Sequence, residues 1–454
     1  MAEIVPIETT ALGDRSYLAH DGEAGLVVDP QRDIDRVLAL AGAAGVRITH
    51  VAETHIHNDY LTGGLALARA TGASYLVSGA DPVRFGDRTP VADGDIVRVS
   101  DGLRLRVLAT PGHTFSHLSY LLESGGEPAG VFTGGSLLYG ATGRPDLLGP
   151  DSTEALARAQ YASARRLAAE LPDATPVFPT HGFGSFCASG AAGPDSASTI
   201  GHQKRVNPAL TLTEQAYLDT LLAGLDAWPA YYAHMSPANL AGPAAPDLSP
   251  PRPADAGMLR RRIEAGEWVV DLRDRIAFAA GHLAGSLCFP LERSFATYLG
   301  WAIPWGTPLT LLGETPEQVA QAQRDLVRIG IDRPAAAATG GPRDWAGGRP
   351  LASLRLAKFG DLAAAGRGPV VLDVRRPLEW DERHIDGAIH IHLPELPGRL
   401  GEVPPGEVWV HCQSGYRAGV AASLLAAAGR TAVAVDDDFS HAAAAGLALV
   451  PSGA

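Results

Sequence analysis

A multidomain α/β protein is predicted here by three observations: the length of the chain, the alternation of short apolar runs with helical stretches in its first half, and a repeat in its second half. At 454 residues the chain exceeds what one hydrophobic core holds, and a prior of roughly 150 residues per domain gives about three domains. In the first half, residues 25–29, 46–51, 103–108 and 130–133 are short apolar runs that predict strands, and 33–44 and 153–171 predict helices. The stretch Ser236 to Asp255, rich in Pro and Ala and without apolar periodicity, predicts a semi-rigid linker and the main boundary. Beyond it, the segment from Val269 aligns without gaps to the segment from Val371, an offset of 102 residues. Asp271, Arg273, His282, Gly285 and Leu291 recur as Asp373, Arg375, His384, Gly387 and Leu393. Each copy starts with a β-branched strand and returns through a strand followed by a helix, which predicts parallel sheets. The expected domains are therefore 1–240, 254–350 and 351–454.

Composition excludes several functions. Hydrophobic residues make up 46% and charged residues 19%, the balance of folded globular domains. A net charge of -13 offers no concentrated cationic surface for phosphate backbones, so nucleic acid is not an expected partner. The N-terminus lacks a basic region followed by an apolar run, and no apolar stretch is long enough to span a bilayer, so a cytoplasmic protein without membrane contact is expected. Three cysteines, Cys187, Cys288 and Cys412, are an odd number spread over the chain, which fits a reducing compartment with free thiols.

In the second copy the strand 407–411 runs into Cys412-Gln413-Ser414-Gly415-Tyr416-Arg417, and 418–429 has the composition of a helix. Amides of a strand-to-helix turn and the helix N-terminus converge on one point and stabilise an anionic sulfur there, with Arg417 adding positive charge. This loop, with Asp373-Val-Arg375 and Arg383-His-Ile-Asp-Gly-Ala388 upstream, resembles the rhodanese (sulfurtransferase) family. The resemblance implies that Cys412 carries sulfur as a persulfide, that Arg417 assists it, and that Gln413, Ser414, Gly415 and Tyr416 line the substrate site. In the first copy the corresponding position is Leu312 or Gly313, so that copy has no catalytic cysteine and is expected to be structural or interfacial. Cys288 is expected in core packing.

The first half carries a histidine cluster: Thr54-His55-Ile-His57-Asn-Asp59-Tyr60 after a strand, then Thr110-Pro-Gly-His113-Thr114, then Pro179-Thr-His181-Gly182. Imidazoles at i and i+2 beyond a strand end can both turn toward one metal, and histidine is the commonest ligand for borderline metals. The three motifs in this order resemble the metallo-β-lactamase superfamily, with its αββα fold, and the fusion to rhodanese-type segments resembles its persulfide dioxygenase-like branch. That likeness implies one Fe(II), with zinc as the other candidate, no organic cofactor, and oxidation of a low-molecular-weight thiol persulfide to sulfite. His55 and His113 would be ligands, and Arg144 would stand on the thiol-binding side of the site.

Two departures shape the expectation. Gly135 stands where the branch has an aspartate ligand, and Tyr60 where two-metal hydrolases have a histidine. A two-metal hydrolytic site is thereby disfavoured, and the remaining single-metal set is His55, His57 and His113, with Asp59 or His181 nearby. Tyr60 either offers its hydroxyl to a metal ligand or packs, with packing preferred, His117 could lie near the site or orient a loop, and Cys187 is as readily buried as reactive. The expected small-molecule partners are a thiol persulfide and sulfite or thiosulfate, with homo-oligomerisation left open. The alternative outcome is a sulfurtransferase whose first domain is metal-poor or inactive.

Overall fold

The computed structural model describes residues 2–189, 197–366 and 368–452. They fall into two compact units, Met1–Pro246 with Val327–Gly330, and Asp247–Leu326 with Ile331–Ala454.

The first unit is built from two six-stranded sheets. One runs in the order Glu3–Thr9, Asp14–His20, Ala24–Val28, Arg47–Ala52, Ser74–Ser78, Thr89–Val91, antiparallel at first and parallel from Ala24–Val28 onward. The other runs Ser198–Thr199, Pro176–Pro179, Glu127–Gly134, Leu118–Ser124, Leu103–Ala109, Ile96–Arg98. Alternation sets their faces: in Leu103-Arg104-Leu105-Arg106-Val107 the apolar residues are buried and the arginines turn outward. Tyr17, Leu26, Leu76, Leu105, Tyr120 and Phe132 form the core shared by the two sheets. Helices Asp35–Ala44 and Gly64–Thr71 cover the outer face of the first sheet through Val37, Ala41, Leu65 and Ala68. Helix Pro150–Glu170 covers the second through Ala157, Ala164 and Leu167. It starts where Pro150 occupies the first turn after Gly149, at φ +100. The layers are helix, sheet, sheet, helix, as expected.

The predicted linker is shorter than its composition suggests. Residues Tyr232–Ala241 form a helix that contains Pro237. Burial of Tyr232 and Met235 holds it in place, and the Asn239 amide donates to the carbonyls of His57 and Tyr60 at 2.9 Å each while its oxygen accepts from Thr62 N–H. The break between the units comes after Pro246.

The second unit contains two all-parallel sheets, of order Leu287–Cys288, Trp268–Asp271, Leu309–Gly313, Ala336–Thr339 and of order Arg355–Ala357, Ala432–Val435, Val408–His411, Val370–Asp373, Ile389–His390. The repeat is visible in how each strand ends. Asp271 accepts from the Arg273 guanidinium, which also donates to the carbonyl of Gly281 at 2.9 Å; Asp373 and Arg375 do the same with the carbonyl of Arg383 at 2.7 Å. His282 and His384 stack on Phe278 and Trp380. Register resolves the gap in the repeat: Asp271 lies beside Leu312 and Asp373 beside His411. Gly313 is therefore the counterpart of Cys412.

Removing one member of a buried ion pair leaves an uncompensated charge, which costs about 3–5 kcal/mol. Arg375→Ala is expected to lower stability by that amount in urea unfolding. Arg376→Ala, which removes the outer Arg376–Glu379 pair, is expected to cost about 1 kcal/mol or less.

Candidate functional site

The histidines of the first unit converge because three chain segments end on one carboxylate. Asp29 closes the apolar strand Ala24–Val28 with a left-handed φ of +50. Its oxygens accept from Thr54 N–H and the Thr54 hydroxyl, both at 2.7 Å, and from the Thr180 hydroxyl. The residues after Thr54 and Thr180 are His55 and His181, so their backbones are fixed by the same buried anion.

Hydrogen bonds then settle which ring nitrogens are bare. The Thr54 hydroxyl, donating to Asp29, accepts from His55 Nδ1–H at 2.9 Å and leaves His55 Nε2 free. His181 Nδ1–H donates to Asp14 at 2.9 Å, so its Nε2 is also free. These two Nε2 atoms face each other at 3.4 Å. Two imidazole lone pairs at that separation are satisfied by a shared cation.

His57 is held from its other side. Its Nε2 lies 3.0 Å from the Tyr60 hydroxyl and 3.3 Å from both Asp29 and Glu53, while its buried Nδ1 has no hydrogen-bond partner among the described residues. Burial disfavours its charged form, yet Asp29 and Glu53 outweigh this and push it up to about 10. The charged ring carries a proton on each nitrogen, with Nε2–H held by the carboxylates; a metal bound here would displace the proton on Nδ1, in the carboxylate–histidine arrangement common around metal ligands. Tyr60, expected to pack in preference to a hydroxyl role beside the ligands, does both: it hydrogen-bonds this ring and stacks on it at 4.3 Å.

The donor atoms of His55, His57 and His181 lie within 4.8 Å of one another. His181, expected nearby, joins His55 and His57 in this group, and His113 joins His181 and Cys187 in a second one. Asp59 groups with Asp14 and His181 in the same way. Burial raises Asp14 to about 7, and burial together with Asp14 raises Asp59 to about 6. The His55 and His181 Nε2 atoms, 3.4 Å apart, fit a cation.

His113 donates Nδ1–H to the carbonyl of Arg144 at 2.8 Å, and its ring fills the place where a side chain at position 135 would begin. A Cβ on Gly135 would lie 2.6 Å from His113 Cγ and closer still to Cδ2. His117 is occupied at both nitrogens, by Thr110 at Nδ1 and by Gly135 N–H at Nε2, so it orients the loop. Arg144, expected on the thiol-binding side, is spent on the protein itself: its guanidinium donates to Asp146, to Phe186 O and to Asp226 O. A cavity of about 220 Å³ lies beside the site, lined by Asn58, Leu148, Trp228, Tyr232 and Ser236 among others.

In the second unit Cys412 follows strand Val408–His411 and precedes helix Tyr416–Ala427. Gly415 N–H donates to Sγ at 3.2 Å, with Gly415 at φ +95, where a Cβ would overlap the Asp436 carboxylate. The thiol is 1% exposed. Arg417 is not a free charge: it makes two bonds to Glu379, at 2.6 and 2.7 Å. Glu379, though its own burial opposes it, is lowered to about 2 by that guanidinium. Of the other loop residues, Ser414 is exposed, Gln413 accepts from Phe439 N–H, and Tyr416 turns to Pro290 O and to the Tyr298 ring of the first copy.

Sequence reasoning missed Asp14, Asp29, Glu53 and Glu379. Asp29 carried a signal, since a carboxylate closing the apolar run Gly-Leu-Val-Val must be buried with partners. Asp14 carried none.

The metallo-beta-lactamase superfamily model matches residues 10–181 and the rhodanese-like domain model residues 359–442. A hydroxyacylglutathione hydrolase from Cupriavidus taiwanensis is 32% identical across 46% of this chain and 77% of its own length. Another, from Polaromonas sp., is 35% identical, and the chain spans 58% of its length. The mitochondrial persulfide dioxygenase of Homo sapiens is 26% identical across 46% of this chain and 74% of its own. A solved metallo-beta-lactamase from Staphylococcus aureus is 29% identical, covers 75% of this chain and 99% of its own, and superimposes with a TM-score of 0.67. The chain thus belongs to the metallo-β-lactamase superfamily, and it carries a rhodanese-like domain toward its C-terminus.

Proposed function

We propose that the protein oxidises a low-molecular-weight thiol persulfide to sulfite at a single ferrous centre in the first unit and moves sulfur through Cys412 in the second. The observation that carries this reading is the convergence of His55, His57 and His181, whose donor atoms lie within 4.8 Å of one another, in a chain that also holds a rhodanese-like domain; at Gly135, where His113 takes the side-chain space, no carboxylate stands to bridge two metals. Tyr60 fills the other position a second metal would use. Hydroxyacylglutathione hydrolysis, the activity named for several relatives, is therefore disfavoured, and a thiol-sulfur reaction suits the attached rhodanese-like domain.

His55 and His181 through Nε2 and His57 through Nδ1 would hold the ion. When bound, it supplies coordination for the terminal sulfur and for dioxygen. The chain's own part is to fix the ligands: Asp14 orients His181, Thr54 orients His55, and Asp29 with Glu53 holds His57. The cavity beside Trp228 and Tyr232 takes the thiol portion. One dioxygen and one water convert the terminal sulfur to sulfite and release the thiol.

At the second site Cys412 attacks the sulfane sulfur of thiosulfate; a new S–S bond forms, the old one breaks, and sulfite leaves with the electron pair. Gly415 N–H and the Arg417–Glu379 pair replace the water that burial removes from the sulfur. Residues 254–350 act as a degenerate copy of the same domain, with Gly313 in the cysteine position. A second reading, sulfur transfer alone, is favoured by the loss of an anionic ligand at position 135.

Oxygen uptake with glutathione persulfide is expected from iron-loaded protein, reduced at least about a hundredfold in His181→Ala, as loss of about 2.7 kcal/mol would give. Uptake no greater than that of the variant would leave sulfur transfer alone. Cys412→Ser is expected to abolish thiosulfate:cyanide sulfur transfer and to spare oxygen uptake. For the clamp, the carboxyl of Glu379 is depressed on folding, so its contribution is present above the unfolded value of 4.5 and lost as pH falls toward 2. The stability difference between wild type and Glu379→Gln in urea unfolding should be full at neutral pH and shrink over that window.

A further inference from the structure

Cys187 ends the loop that begins at His181. Its thiol is fully buried, its amide donates to the Ser185 hydroxyl, and its carbonyl accepts from Arg144 N–H at 2.9 Å. The same Arg144 accepts His113 Nδ1–H, so one residue sets the thiol and the imidazole side by side. That bond leaves His113 Nε2 bare, and this buried nitrogen has no partner among the described residues. The donor atoms of His113, His181 and Cys187 lie within 4.8 Å of one another.

We propose that Cys187, grouped with His113 around the same His181 that groups with His55 and His57, joins that single centre as the thiolate ligand that position 135 no longer supplies, making it a nitrogen–sulfur site for a thiophilic borderline divalent cation. The proposal rests on the metal-binding reading of the first unit and names the donor set and the class of cation. Neutral imidazoles and one thiolate suit Zn²⁺, Fe²⁺ or Co²⁺ over Mg²⁺ or Ca²⁺, which prefer all-oxygen shells. A neutral ring cannot offset the charge of a divalent ion, and a thiolate offsets one unit of it. Without the ion, burial pushes the Cys187 thiol well up; on coordination the S–H proton passes to solvent and the S–metal bond replaces it, so thiolate formation and metal binding are one event. An aspartate at position 135 would have to displace His113 from the ring position that serves this site.

The test is anaerobic loading of the full chain with Co²⁺, reading bound cobalt and the near-ultraviolet sulfur-to-cobalt charge-transfer absorption. Wild type and Cys412→Ser are expected to show the band, and Cys187→Ser to lose it while retaining the visible cobalt absorption with weaker binding. Cobalt bound in wild type without the band overturns the Cys187 assignment and leaves the histidine centre standing; no bound cobalt overturns the metal reading itself. Should Cys187→Ser not fold, Cys288→Ala with Cys412→Ser leaves Cys187 as the last of the three cysteines. Loss of the band there overturns the proposal, and its persistence supports it.

Discussion

A single buried carboxylate, Asp29, organises the first unit. It sits at a strand end in a backbone conformation that a side chain adopts at a cost of order 1–3 kcal/mol, and its oxygens fasten the loops that lead to His55 and His181 while facing His57. A buried anion is tolerated only when it is saturated with donors. That requirement forces three segments far apart in the chain to meet, and the imidazoles they carry meet with them.

The second unit repeats a smaller version of the same logic twice. An aspartate at the end of the first strand of each copy holds an arginine, and the arginine closes the helix that follows by capping its last carbonyls. The scaffold persists in both copies whether or not a cysteine follows the neighbouring strand. The aspartate–arginine scaffold thus does not depend on the residue that follows the neighbouring strand, Gly313 in one copy and Cys412 in the other.

The layers, the parallel sheets and the histidine cluster were legible in the sequence because they are written in local patterns: alternation, a repeat, and imidazoles spaced by two residues. What was not legible depends on long-range closure. Asp14 reaches His181 across 167 positions, and nothing near either residue announces the other. His181 and His113 were both visible as candidates, but order along the chain does not reveal that His181 groups with His55 and His57 while His113, bonded to the Arg144 carbonyl, groups with His181 and Cys187. Arg417 reads from its motif as a fixed charge near the sulfur; Glu379, which pairs with it, becomes its partner only when the loops fold, as do the Phe186 and Asp226 carbonyls that Arg144 meets. The helix 232–241 was hidden by Pro237 and by flanking prolines, and its anchor, Asn239, finds its partners 177 and more residues upstream.

The near-complete enclosure of Cys412 has a kinetic meaning. Were Cys412 to carry sulfur as proposed, its 1% exposure would screen that sulfur from bulky reductants in the surrounding medium, so acceptors would be sorted by size before they are sorted by reactivity.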